Sequence, residues 1–212
     1  DSTENLKRIY DLALSCGDFS QFIVSTRPDC VGEDVADLLA QYITPEREVW
    51  VELGLQSASD ETLKRINRGH TLSDYITCAE RLHKRGIKIC THVIIGLPGE
   101  ERKDFIKTAE ALNQVGSEGV KIHNLHIPGG TRMAQDYLDG EIVSWSTERY
   151  MNEVQYFLRL LNPGMIVQRL VCETPAHRLM APRHFMDKSL FLRTLNDKME
   201  RDDTRQGDLY EG

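Results

Sequence analysis

Glu52, Gln56 and Arg68 are the residues in this chain whose types and spacing best suit chemistry. A carboxylate, an amide and a guanidinium within seventeen residues can orient a polar small molecule, and a guanidinium fork suits a ligand carboxylate or phosphate. The stretch that carries them reads as a strand, a turn, a short helix and a glycine stop. Val49, Val51, Leu53 and Leu55 share one face at the two-residue period of a strand, and Trp50, Glu52, Gly54 and Gln56 share the other. The second face is too polar for a packed core unless polar groups lie against it. Ser57 or Ser59 can cap the following helix, and Arg68 arrives just before Gly69. One strand and its helix thus turn Glu52, Gln56 and Arg68 toward a common rim. The alternative for Glu52 is a buried structural carboxylate paired with Arg27 or Lys88.

The elements that must position this rim are legible in order. Helical spacing covers residues 4–16, followed by a short strand at Phe22 to Val24 and a helix over 32–42. After the central strand come a helix over 72–84, capped by Ser73 and closed by Gly86, and a strand over 87–95. That strand runs into Gly96-Leu97-Pro98-Gly99-Glu100. A helix over 102–115 and a strand over 119–127 complete four strand–helix alternations. Such alternation predicts βαβ units and a parallel sheet, with working groups at the C-terminal strand ends. Four strands do not close a barrel, so the expected fold is α/β, an open, partial β/α barrel of TIM type, over residues 1–130. Residues 131–212 read as a small α+β extension: helices over 133–138 and 147–161, a strand over 165–171, a helix over 190–200 and a frayed polar tail.

Composition narrows the function classes. With 212 residues and a net charge of −7, the chain can build one substantial core and carries no broad basic surface for nucleic acid. No apolar run is long enough to span a membrane. Five scattered cysteines, Cys16, Cys30, Cys78, Cys90 and Cys172, fit a reducing cytoplasm. None has the CxxC or CxxxCxxC spacing of a metal cluster motif. His123 and His126 lie three apart on a strand and point to opposite faces, so a shared zinc ion with Cys90 and His92 is not expected. The cations between Gln168 and Arg193 (Arg169, Arg178, Arg183, Lys188 and Arg193 among them) form either a solvated face or a contact for an anionic substrate such as RNA.

Three motifs at the right separations, 52-ELGLQS-57, 66-INRGH-70 and 92-HVIIGLPGE-100, resemble the radical S-adenosylmethionine (SAM) superfamily, and most closely a YhcC-like subgroup related to the elongator catalytic subunit and oxygen-independent coproporphyrinogen oxidase. The resemblance covers nearly the whole chain. It implies that SAM lies across the strand ends, with Gln56 at the ribose hydroxyls and Arg68 at the methionine carboxylate. It further implies that Ile94, Gly96 and Leu97 pack on adenine, and that the segment from His123 through His126 to Ile127 offers backbone hydrogen bonds to it. Glu52, Ser57 and His92 belong to the same set. Relatives often carry a carboxylate where Ser25 stands and an Asp where His92 stands. The family's CxxxCxxC loop and its Gly-Gly-Glu-like motif are not found here, which implies an N-terminal truncation. The intact parent would use a [4Fe-4S] cluster, not bound by this fragment, to cleave SAM to methionine and a 5′-deoxyadenosyl radical. Its electron donor would be a flavodoxin or ferredoxin, and its substrate is unknown. The fragment itself is expected to be inactive and to expose a sheet edge that invites an edge-paired dimer. A cluster-free barrel that binds a nucleotide or effector is the alternative from another class.

Overall fold

The computed structural model describes residues 2–212. Five parallel strands form one open sheet in the order β1-β2-β3-β4-β6, with β1 at Gln21–Thr26, β2 at Glu48–Gln56, β3 at Lys88–Ile95, β4 at Gly119–Asn124 and β6 at Ile166–Arg169. The fifth strand comes from beyond Thr131, so the sheet draws on both halves of the chain. A two-stranded antiparallel ribbon, β5 (Ile127–Pro128) with β7 (Leu179–Ala181), caps the C-terminal side. The chain is therefore an open α/β barrel segment, as the alternation predicts.

Period-two patterning decides which face packs. Val49, Val51, Leu53 and Leu55 of β2, Ile89, Val93 and Ile95 of β3, and Val120 and Ile122 of β4 are all at most 2% exposed and join one core. That core is closed by α2 (Glu33–Ala40), α4 (Leu72–His83), α5 (Arg102–Val115), α7 (Thr147–Leu160) and α8 (Lys188–Arg201). Helix α4 buries Tyr75, Cys78, Ala79 and Leu82, the i, i+3, i+4, i+7 stripe of an amphipathic helix. Its cap is Thr71, whose side chain accepts from the Asp74 amide while Asp74 accepts from the Thr71 amide. The reciprocal capping box outcompetes the expected cap at Ser73, which offers one bond rather than two.

Two further expectations are corrected. The strand from Gly119 does not continue to Ile127: β4 stops at Asn124, whose side chain accepts from the Cys172 amide at 3.1 Å, and Ile127 pairs instead with Ala181. The tail is not frayed. Gly207 and Leu209 amides donate to the Leu158 and Arg159 carbonyls at the end of α7, and Gln206 Nε2 donates to the carbonyls of Asn162 and Met165 at 2.9 and 2.8 Å. Arg159 and Asp208 pair at 2.7 Å. A polar tail is retained because a helix end presents unpaired carbonyls. Deleting residues 206–212 is expected to lower unfolding free energy by roughly 2 kcal/mol, read as a lower urea midpoint. No helix is long and apolar enough to cross a membrane among the described residues.

Candidate functional site

The side chains facing away from the helices line the inside of the open barrel. Adjacent strands bring Glu52, Lys121, His92 and Ser25 together, although Glu52 and Lys121 are 69 residues apart. The Lys121 ammonium pairs with Glu52 Oε1. His92 Nε2 lies 3.1 Å from Glu52 Oε2, and the Ser25 hydroxyl donates to the same oxygen at 2.8 Å. Burial opposes ionisation of Glu52, but Lys121 and Ser25 outweigh it and hold the carboxyl below its usual range. Neither alternative partner of Glu52 is used: Arg27 pairs with Asp29 and Lys88 with Glu48, at 2.6 and 2.5 Å. Both sit nearer to other carboxylates, and only the register of β4 reveals Lys121.

Gln56 and Arg68 converge at the C-terminal rim. The register of β2 against β3 shifts between Gly54 and Gln56, and Gln56 adopts φ 74°, a left-handed conformation uncommon for a side-chain-bearing residue. The bulge re-aims the Gln56 amide over Gly54, where the Arg68 guanidinium also lies, its Nη2 donating to the Gly54 carbonyl at 3.0 Å. A methyl group on Gly54 would collide with both. Arg68 Nε and His70 Nδ1 are buried without a hydrogen-bond partner, and burial pulls both groups' pKa down. His70, the last residue of the Asn-Arg-Gly-His turn, reaches the Leu55 carbonyl with Nε2 at 3.3 Å and ties that turn to β2. An orphaned guanidinium N–H beside a bulged glutamine is a seat for a ligand with an anionic group.

The remaining predicted residues divide. Ile94 shares the inward alternation of His92. Gly96 at φ 104° and buried Leu97 form the turn after β3, held by the Trp145 ring 3.4 Å from where a Gly96 Cβ would stand. Ser57 does not face this rim. It hydrogen-bonds Glu100, which is 6% exposed, and burial pushes the Glu100 carboxyl up to about 7. Ser57 and Glu100 thus join the rim loop to the Gly-Leu-Pro-Gly turn. His126 is occupied by Asn124 Nδ2 at 2.9 Å and Thr174 Oγ1 at 2.6 Å. Arg169, read from sequence within an exposed basic run, instead turns into the barrel and meets His123 Nε2 at 3.3 Å. The alternation of Lys121 and His123 with buried Val120 and Ile122 was the signal for these lumen residues.

Residues 5–112 match the Radical SAM superfamily and residues 117–201 the Radical_SAM C-terminal domain. The chain belongs to the radical SAM superfamily. It is 36% identical over 205 residues to the uncharacterized protein MJ0486 of Methanocaldococcus jannaschii, covering 96% of this chain and 64% of that protein. It is 38% identical over 177 residues to protein YhcC of Escherichia coli K12, covering 84% and 57%. Its fold matches the archaeal Methanocaldococcus infernus Elp3 with a TM-score of 0.74 at 24% identity, over 87% of this chain and 42% of that one. The chain thus spans just under two thirds of one of these curated relatives and a little over half of the other.

The two cofactors used in the family fit these residues differently. The orphaned Arg68 N–H and the Gln56 amide suit SAM, whose methionine end carries a carboxylate. A [4Fe-4S] cluster needs three closely placed thiolates. Among the described residues no three His, Cys, Asp or Glu side chains are grouped to hold a metal. Burial raises the Cys78 and Cys90 thiols to about 12 and the Cys172 thiol to about 11, and Cys16 and Cys30 are exposed and fourteen positions apart in the chain. These donors do not fit a cluster.

Proposed function

We propose that this chain forms the SAM-holding part of a radical SAM enzyme. The observation that carries the reading is the convergence of Gln56 and Arg68 over Gly54, with Arg68 Nε buried and unpartnered. Arg68 binds the methionine carboxylate, Gln56 the ribose hydroxyls, and Ile94, Gly96 and Leu97 border the adenine. Trp145 against Gly96 and Glu100 beneath Ser57 position that loop. Bound there, SAM would supply the family's radical chemistry, and these residues would hold and orient it at the strand ends.

Calorimetric titration of the chain with SAM tests the reading. Arg68→Ala should weaken binding at least about tenfold, the loss of a charge-assisted pair, and Gln56→Ala by less. Gly54→Ala should weaken SAM binding by a similar factor while changing stability by less than about 1 kcal/mol, because the groups it displaces are the free ends of flexible side chains. Absence of SAM binding, or binding indifferent to Arg68, overturns the proposal.

A further inference from the structure

The inward face carries a second unsatisfied cation below the rim. Arg169 has His123 Nε2 as its hydrogen-bond partner, and among the described residues no carboxylate lies within 4 Å of it. Because a guanidinium can only donate, His123 Nε2 accepts, leaving the ring proton on Nδ1 as a free donor. Burial, with His92, Arg169 and Lys121 nearby, pulls the His123 pKa down to about 4, and burial also lowers that of His92. At neutral pH both rings are uncharged. Lys121 and Arg169 therefore face one carboxylate, Glu52, and the cluster holds one positive charge in excess. An uncompensated charge in a largely buried place is costly unless a ligand neutralises it. The side chains of Glu52, Lys121 and His92 are 11%, 14% and 19% exposed.

We propose that this cluster is a second anion site, which holds a terminal carboxylate of the substrate between Arg169, Lys121 and His123. A single excess charge matches a monoanion rather than a phosphate monoester. So enclosed a site admits a terminal group more readily than a phosphodiester, whose two ester arms both need an exit. Lys121 is level with His92 and Gly54, and Arg169 with Lys121. The anchored carboxylate therefore lies on the same face as Gly54 and level with it, while the bulge sets Gln56 opposite Val93, one position beyond His92. The substrate is thereby a carboxylic acid anchored on β4 and β6, beside the SAM seat that β2 carries. The inference rests on the reading of the barrel interior as a reaction chamber, but binding of an anion there does not require SAM cleavage.

The test is titration of the 212-residue chain with acetate at constant ionic strength, followed by the imidazole ¹⁵N signals of His92 and His123. A saturable shift at His123 is expected. Arg169→Gln should weaken it about tenfold or more. Arg169→Lys, which keeps the charge and loses the fork, should give an intermediate loss in a folded protein. Arg178→Gln, at an exposed position of the same segment, should leave it unchanged. Acetate should bind equally with SAM present, whereas dimethyl phosphate should not saturate. No saturable shift overturns the site. Equal saturation by dimethyl phosphate overturns the carboxylate assignment in favour of a nucleic-acid backbone, and displacement of acetate by SAM shows that the cluster serves SAM itself. Failure of SAM to bind at all counts against the proposed function and leaves the acetate result to be read alone.

Discussion

Lys121→Met is expected to lower the unfolding free energy by about 3 kcal/mol, the scale for removing one partner of a buried ion pair. The loss arises because the Glu52 carboxylate, 11% exposed, keeps its burial and loses its cation. The Ser25 hydroxyl and His92 remain to solvate it, which places the cost at the low end of the range. Adding Glu52→Gln to Lys121→Met should restore most of the loss, since an amide and a thioether need no counter-charge. A double-mutant cycle by urea denaturation measures the coupling. If the single variant matches the native chain, the pair is solvated and the barrel interior is wetter than its geometry indicates. The sign with pH follows from the depressed Glu52 pKa. Its contribution is present above the ordinary carboxylate range and is lost as pH falls through the folded value.

Glu100→Gln is expected to stabilise the chain at pH 8 and to leave it little changed near pH 4.5. The folded carboxyl titrates at about 7, raised first by burial and only partly offset by Ser57 and Thr62. Between 4.5 and 7 the folded chain holds a proton that the unfolded chain has released, so this group lowers stability as pH rises through that window. A shift of that size corresponds to about 3 kcal/mol at its upper limit. Histidines 70, 92, 123 and 126, all pulled down by burial, act in the opposite sense, because the unfolded chain binds their protons first as pH falls below 6.5. The measurement is therefore the difference between native and Glu100→Gln midpoints across pH 4.5 to 8. A flat difference means that Glu100 is solvated, and its place under Ser57 then does little to hold the rim loop.

Both predictions concern charges held inside the fold, where local sequence is least informative. What the sequence determined by itself was local and periodic. Alternation along β2, β3 and β4 marked the packed face, because a strand has only two sides and only one of them was apolar. A serine cap on α3 (Asp60–Arg65), Ser57 or Ser59 by sequence and Ser59 in the structure, and the turn glycines 96 and 99 after β3 followed from short-range backbone needs. The spacing of Gln56, Arg68 and the Gly-Leu-Pro-Gly turn marked the rim. Only the tertiary structure decided the partners. Lys121 rather than Arg27 or Lys88 meets Glu52, Ser57 turns to Glu100, Arg169 faces inward, and the polar tail docks on α7. Alternation says which side of the sheet a residue takes, but strand order and register say what stands beside it. Those are set by contacts between residues dozens of positions apart, so a charge can be assigned to the barrel interior from its own strand and still be given the wrong partner.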